Sequence, residues 1–103
     1  MEVPEVIAEI KGSEKPDEVV IIGGHLDSWN PGTGASDNGT GAATVVDAAR
    51  EMMSLGHAPK RTVRFILFGG EEQGLLGSTA YAKAHAADMS KIDAVLVLSL
   101  IHI

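Results

Sequence analysis

The chain has 103 residues, of which 45% are hydrophobic, and a formal net charge of -6. This length suits one small domain, and the apolar content is sufficient for a packed core, so wholesale disorder is excluded. The acidic charge argues against nucleic acids and anionic membranes as partners, because both favour basic surfaces. The chain contains no cysteine. Disulfides and thiolate zinc sites are therefore excluded, and any metal must be held by His, Asp or Glu.

No stretch of the sequence approaches the roughly 20 apolar residues that a transmembrane helix needs. The N-terminal sequence MEVPEVIAEIKG lacks a basic region followed by an apolar one, which a signal peptide requires. We therefore expect neither a membrane segment nor a signal peptide in this chain.

Strands and helices are predicted to alternate along the chain. A moderately alternating segment predicts the first strand, and three apolar runs rich in β-branched residues predict strands buried on both faces. An apolar stripe of helical period predicts the first helix, which Gly56 is placed to end. The predicted elements are strands at residues 3–11 and 18–24, a loop at 23–38, a helix at 39–55, a strand at 62–68, a helix at 74–87 and a strand at 94–98. This order indicates an α/β fold with a mixed, mostly parallel sheet between two helical layers.

Polar clusters lie at the ends of two predicted strands and at the start of the first helix. They are GGHLDSW at residues 23–29, ASDNGTG at residues 35–41 and GGEEQG at residues 69–74. In open α/β sheets, ligands bind outside the carboxyl ends of the strands. The sequence therefore predicts a functional site at this edge of the sheet.

Each cluster also has an ordinary structural explanation. His25 and Asp27 could be a metal ligand and the carboxylate that orients it, or part of a polar loop. Asp37 could bridge two metals or cap the first helix. One of Glu71 and Glu72 could bind a metal while the other accepts a proton from water, or the two could form a solvated pair at a helix N-terminus. Taken together, imidazole and carboxylate groups without thiols favour a hydrolytic site for zinc, manganese or cobalt.

Three further residues are not assigned to the site. Trp29 could line a substrate pocket or pack over the loop, and the sequence does not decide between these. His57 and His85 do not follow a strand end, so we expect both at the surface.

The motifs GGHLDSW, GASDNGTGAA and FILFGGEEQGLLGS, in this order and spacing, closely resemble the co-catalytic zinc exopeptidases of peptidase clan MH. This group includes leucyl-type aminopeptidases and glutamate carboxypeptidases, and the chain looks most like the carboxypeptidase Q branch. The resemblance covers roughly residues 5–97. It implies the three-layer fold of these enzymes, of which this chain contains only a part.

The resemblance also implies a role for each site residue. His25 would bind one zinc ion, Glu72 the other, and Asp37 both. Asp27 would orient His25, and Glu71 would be the general base. A cis peptide bond is implied after Asp37. The implied activity is that of an aminopeptidase, carboxypeptidase or dipeptidase acting on short peptides with water activated by two zinc ions, in a secreted, periplasmic or extracellular protein.

The C-terminal end departs from the family pattern. The family has an aspartate ligand at the position of Ser99, and a later histidine ligand would lie beyond Ile103. The segment LSLIHI at residues 98–103 resembles a translated sequencing adapter, which would make His102 an artefact; a genuine apolar strand end is the alternative. We therefore predict that residues 1–97 are the N-terminal part of a zinc peptidase domain, that residues 98–103 are a non-native tail, and that the chain is inactive.

A non-catalytic relative is the alternative function. The chain could be a peptidase-like metal-binding module or ectodomain, of the kind found in some receptors. Such domains usually have degraded ligands. The presence of His25, Asp37, Glu71 and Glu72 favours the enzyme.

Overall fold

Four strands and two α-helices make up the computed structural model, which describes residues 2–99. The elements are β1 (Val6–Ile10), β2 (Lys15–His25), α1 (Gly41–Ser54), β3 (Arg61–Phe68), α2 (Leu76–Ala84), a 3₁₀ segment (Ala86–Lys91) and β4 (Ile92–Leu98). The predicted order of elements is confirmed. The part of the suspected adapter-derived tail that follows Ser99, including His102, lies outside the described residues.

The strands form one mixed sheet in the order β1-β3-β2-β4. Strand β2 runs parallel to both β3 and β4, and β1 runs antiparallel to β3. Because parallel strands end at the same edge, His25 of β2 lies opposite Phe68 of β3, and Gly24 lies opposite Leu98 of β4. The sequence clusters that follow β2 and β3 are therefore brought to one edge of the sheet.

The two helices cover opposite faces of this sheet. Val45 of α1, which is 1% exposed, packs against Val63 and Phe65 of β3. Tyr81 of α2 belongs to a second cluster that contains Ile66 of the same strand. Successive residues of a strand point to opposite faces, so these clusters lie on the two sides of the sheet. The predicted three-layer arrangement is confirmed.

The helix boundaries differ from the predicted ones for local reasons. Helix α1 begins at Gly41, after a kinked turn at Ala35–Thr40, and Gly56 ends it with a φ of 74°. Helix α2 begins only at Leu76, because Gly74 and Leu75 have φ values of 108° and 57°, which lie outside the helical region. The helices span 14 and 9 residues. Within residues 2–99, no helix has the combined length and apolar character that crossing a membrane requires.

Strand β4 is exposed, contrary to the prediction of burial on both faces. Its residues Val95, Leu96 and Val97 are 53%, 59% and 60% exposed. The strand pairs only with β2 among the described strands and forms the outer edge of the sheet. A cavity of about 420 Å³, with apolar walls that include Tyr81 and Val95, lies between this strand and α2. An apolar run predicts burial only if neighbours cover both faces, and the described part of the chain does not supply them.

Ile66 of β3 is the residue on which we expect the core to depend most, because it is 0% exposed. The substitution Ile66→Ala is expected to lower the free energy of unfolding by about 2–5 kcal/mol, since apolar contacts are lost and a cavity remains. The control Val46→Ala removes an apolar side chain of α1 that is 57% exposed, and should change stability by less than about 0.5 kcal/mol. Urea denaturation measures both. Equal losses in the two variants would contradict the assigned core.

Candidate metal centre

His25 is the buried centre of the candidate site. It ends β2 and is 2% exposed. Its Nδ1 lies 3.4 Å from Asp27 Oδ1 and 3.3 Å from the Asp27 backbone oxygen. Its Nε2 lies 3.2 Å from Asp37 Oδ1 and 3.8 Å from Glu71 Oε2. One ring nitrogen therefore faces Asp27, and the other faces carboxylates that come from two other segments of the chain.

Asp27 connects the segment after β2 to the segment after β3. Its Oδ1 accepts a hydrogen bond from the backbone N–H of Glu71, and its Oδ2 accepts one from the N–H of Glu72, each at 3.1 Å. The backbone N–H of Leu26 also donates to the Phe68 carbonyl at 2.8 Å. The same carboxylate thus contacts the His25 ring and fixes the start of the Glu71–Glu72 turn.

Asp37 lies in the kinked turn before α1. The residue is non-helical, with φ -109° and ψ 97°, and the peptide bond to Asn38 is cis, as the family resemblance implies. Helix α1 has Thr40 at its N-cap position and no side-chain capping hydrogen bond. The alternative of a helix-capping aspartate is therefore not supported, and the Asp37 side chain faces His25 instead.

Glu71 and Glu72 follow β3 and are both half-buried. Together with His25 they offer three ligand atoms that lie within 4.8 Å of one another. Helix α2 begins four residues after Glu72, so the alternative of a solvated pair in its first turn is not supported. The pKa of Glu72 is raised, first by burial, then by the hydrogen bond and charge of Asp37 and by the charge of Glu71. A hydrogen bond from Trp29 lowers this pKa in part.

Two carboxylate oxygens at the site are buried and lack a hydrogen-bond partner within residues 2–99. They are Asp37 Oδ1, despite its approach to the His25 ring, and Glu72 Oε1. A buried carboxylate usually requires a hydrogen bond, an ionic partner or a metal. One imidazole with three carboxylates is a donor set that suits zinc.

Two contacts of the site were not predicted from the sequence. The amide of Asn38, which is 1% exposed, donates to the carbonyls of His25 and Leu98 at 3.0 Å and 2.9 Å. Ser99 Oγ lies 3.4 Å from His25 Nε2, and this is the position at which the resemblance leads one to expect an aspartate. Asparagine before glycine is typical of a turn, so no local pattern distinguishes this Asn38 from an ordinary one.

Of the two histidines that we expected at the surface, only one is fully exposed. His57 is exposed, as expected. His85 is only half-buried and stacks on the Tyr81 ring, with 4.2 Å between the ring centroids. Trp29 is 57% exposed in the loop after β2.

Known proteins resemble this chain both in sequence and in fold. Carboxypeptidase Q from Xenopus laevis is 48% identical over 90 residues, which are 87% of this chain and 19% of that protein. The crystal structure of a peptidase M28 precursor from Shewanella amazonensis matches with a TM-score of 0.85 and 52% identity, over 88% of this chain and 21% of that one. A zinc aminopeptidase from Bacillus subtilis matches with a TM-score of 0.84 and 30% identity, over 94% of this chain and 24% of that one.

The chain thus spans about a fifth of the length of the curated relatives it matches. Both solved structures contain the same arrangement of sheet and helices, and the described elements are a part of that domain. The sequence pattern of peptidase family M28 matches residues 5–102. This chain belongs to peptidase family M28.

Proposed function

We propose that this chain is the N-terminal part of the catalytic domain of an exopeptidase that hydrolyses the terminal peptide bond of a short peptide at a site for two zinc ions. The observation that supports this most strongly is the convergence of four ligand-type side chains at one sheet edge. His25 Nε2 lies 3.2 Å from Asp37 and 3.8 Å from Glu71, and Glu72 belongs to the same cluster. In this proposal residues 1–97 are native sequence, and residues 98–103 are a non-native tail.

The donors divide naturally between two ions. His25 would hold one, Glu72 the other, and Asp37, which has two carboxylate oxygens, would contact both. The buried oxygens of Asp37 and Glu72 that lack a partner within the described chain would then be neutralised. The relative from Bacillus subtilis is described as a zinc aminopeptidase, which supports zinc as the metal.

Zinc at such a site supplies Lewis acidity, which polarises the scissile carbonyl and lowers the pKa of water. Glu71 is the base in this proposal. Its carboxylate is half-buried and belongs to the cluster with His25 and Glu72, where it can accept a proton from the attacking water and pass it to the leaving amine. Asp27 holds both the His25 ring and the Glu71 backbone, so one side chain fixes the distance between a metal ligand and the base.

The non-catalytic alternative has one observation in its favour. Ser99 stands beside His25, where the resemblance places an aspartate ligand, and a hydroxyl is a weaker metal ligand than a carboxylate. A metal-binding module that lacks turnover would have this feature. The intact Glu71 favours the enzyme, because a site that only binds metal has no need of a general base.

The partners and location follow the same proposal. The substrate would be a short peptide, with the acidic surface arguing against nucleic acid. The complete protein would be secreted, periplasmic or extracellular, as the resemblance to exopeptidases of this type suggests.

The role of Glu71 can be separated from metal binding in the complete protein. The substitution Glu71→Gln should preserve zinc content and lower kcat by about 10²–10⁴-fold, because an amide cannot accept the proton. Zinc content by mass spectrometry and hydrolysis of a panel of dipeptides and N- or C-terminally blocked peptides measure the two effects. The control Glu51→Gln makes the same change on the exposed side of α1. Loss of zinc in Glu71→Gln, or unchanged turnover, would refute the assignment.

The role of Asp27 predicts a different result. The substitution Asp27→Asn places an amide group against the N–H donors of Glu71 and Glu72 and weakens the contact with His25. We expect zinc affinity to fall by about 10–100-fold, the usual effect of losing a partner that orients a ligand. Competition with a chromophoric chelator measures this. Asp47→Asn, on the exposed side of α1, is the control, and equal zinc affinity in the two variants would show that Asp27 does not orient the site.

A further inference from the structure

We propose that Asn38 is a positioning residue, whose side-chain amide fixes the distance between the proposed ligands His25 and Asp37. The inference rests on the proposed function, because a positioning role has meaning only if these residues bind a metal. Asn38 is not itself a ligand in this proposal. It acts by tying together three segments of the chain that meet at the site.

The amide nitrogen of Asn38 uses both of its N–H groups. One donates to the backbone carbonyl of His25 at 3.0 Å, and the other donates to the carbonyl of Leu98 at 2.9 Å. These carbonyls belong to the last residues of β2 and β4. Asn38 follows Asp37 directly, so the same side chain sets the position of the turn that carries this carboxylate.

Two glycines leave room for this side chain. A Cβ atom on Gly41 would clash with the Asn38 side chain, and a Cβ atom on Gly24 would lie 3.3 Å from its Nδ2. The backbone N–H of Gly41 also donates to the Asn38 carbonyl. The amide is therefore enclosed by β2, β4 and the start of α1, and it is 1% exposed. The packing allows it little freedom to move.

The hydrogen bonds of Asn38 hold the backbone on two sides of the His25 ring. The bond to the His25 carbonyl holds the backbone of this proposed metal ligand. Because Asn38 directly follows Asp37, the same side chain also holds the backbone next to Asp37. Through the carbonyl of Leu98, a backbone group that does not depend on which side chain stands at that position, the second hydrogen bond holds the end of β4. Removal of the amide would take one donor away from each carbonyl, which is most unfavourable at the buried carbonyl of His25. The β2 end, the β4 end and the turn would then be free to separate.

The substitution Asn38→Leu tests this inference, because it keeps the branched shape of the side chain and removes both donors. The probes are Zn²⁺, titrated against a chromophoric chelator, and Co²⁺, whose visible absorption reports ligand geometry. In the complete protein, we expect the Zn²⁺ affinity to fall by about tenfold or more and the Co²⁺ spectrum to change. Should Asn38→Leu not fold, Asn38→Ser, which keeps one donor, takes its place with the same expected direction.

Two controls separate positioning from general effects. Asn30→Leu makes the same change at an exposed position of the preceding loop and should leave both signals unchanged. Val45→Ala removes buried core volume on α1 and should lower the unfolding temperature without altering the Co²⁺ spectrum.

The outcomes distinguish this inference from the proposed function. Wild-type Zn²⁺ affinity and Co²⁺ spectrum in the Asn38 variant would overturn the positioning role and leave the metal site intact. A matching loss in Val45→Ala would also overturn it, because the effect would then follow stability alone. A complete, unsubstituted protein that binds no Zn²⁺ would overturn the proposed metal site and this inference with it.

Discussion

The Asp27 carboxylate is the interaction on which the geometry of the site depends most. It lies 3.4 Å from the His25 ring and accepts hydrogen bonds from the backbone N–H groups of Glu71 and Glu72. A residue that follows β2 thereby orders the turn that follows β3. Parallel strands bring their ends to the same edge, but they do not determine where the following side chains point. A charged acceptor shared between the two ends supplies that missing constraint, since charge-assisted hydrogen bonds are stronger than neutral ones.

The same edge concentrates negative charge at an energetic cost. Asp37, Glu71 and Glu72 converge on one imidazole, and burial together with the neighbouring carboxyls raises the pKa of Glu72. Like charges at this distance favour a bound proton or a cation between them. A divalent cation would replace the proton and neutralise more charge. The arrangement is unfavourable as a purely structural feature and favourable as a metal site, which is why the convergence supports the proposed function.

Sequence patterns predicted the parts of this protein that local chemistry determines. The β-branched runs located the strands, and their alternation with helices gave the three layers that the M28 relatives share. The strand-end rule placed His25, Asp37 and the Glu71–Glu72 pair at one edge. Contacts between distant segments were not predictable in this way. Asp27 binds the backbone N–H groups of Glu71 and Glu72, and because nearly every residue has such a group, the sequence does not mark these two. The burial of Asn38 depends on Gly24 and Gly41, which leave space for its side chain. The exposure of β4 depends on which strands lie beside it, and its own apolar sequence contains no information on that point.

We propose that the carboxyl edge of the sheet binds two zinc ions through His25, Asp37 and Glu72. Anomalous diffraction at the zinc edge, from crystals of the complete protein grown with Zn²⁺, tests this most directly. We predict two anomalous peaks at this edge, one beside His25 and one beside Glu72, with the Asp37 carboxylate between them. Zinc bound only at surface residues such as His57, or no peak beside His25, would contradict the claim.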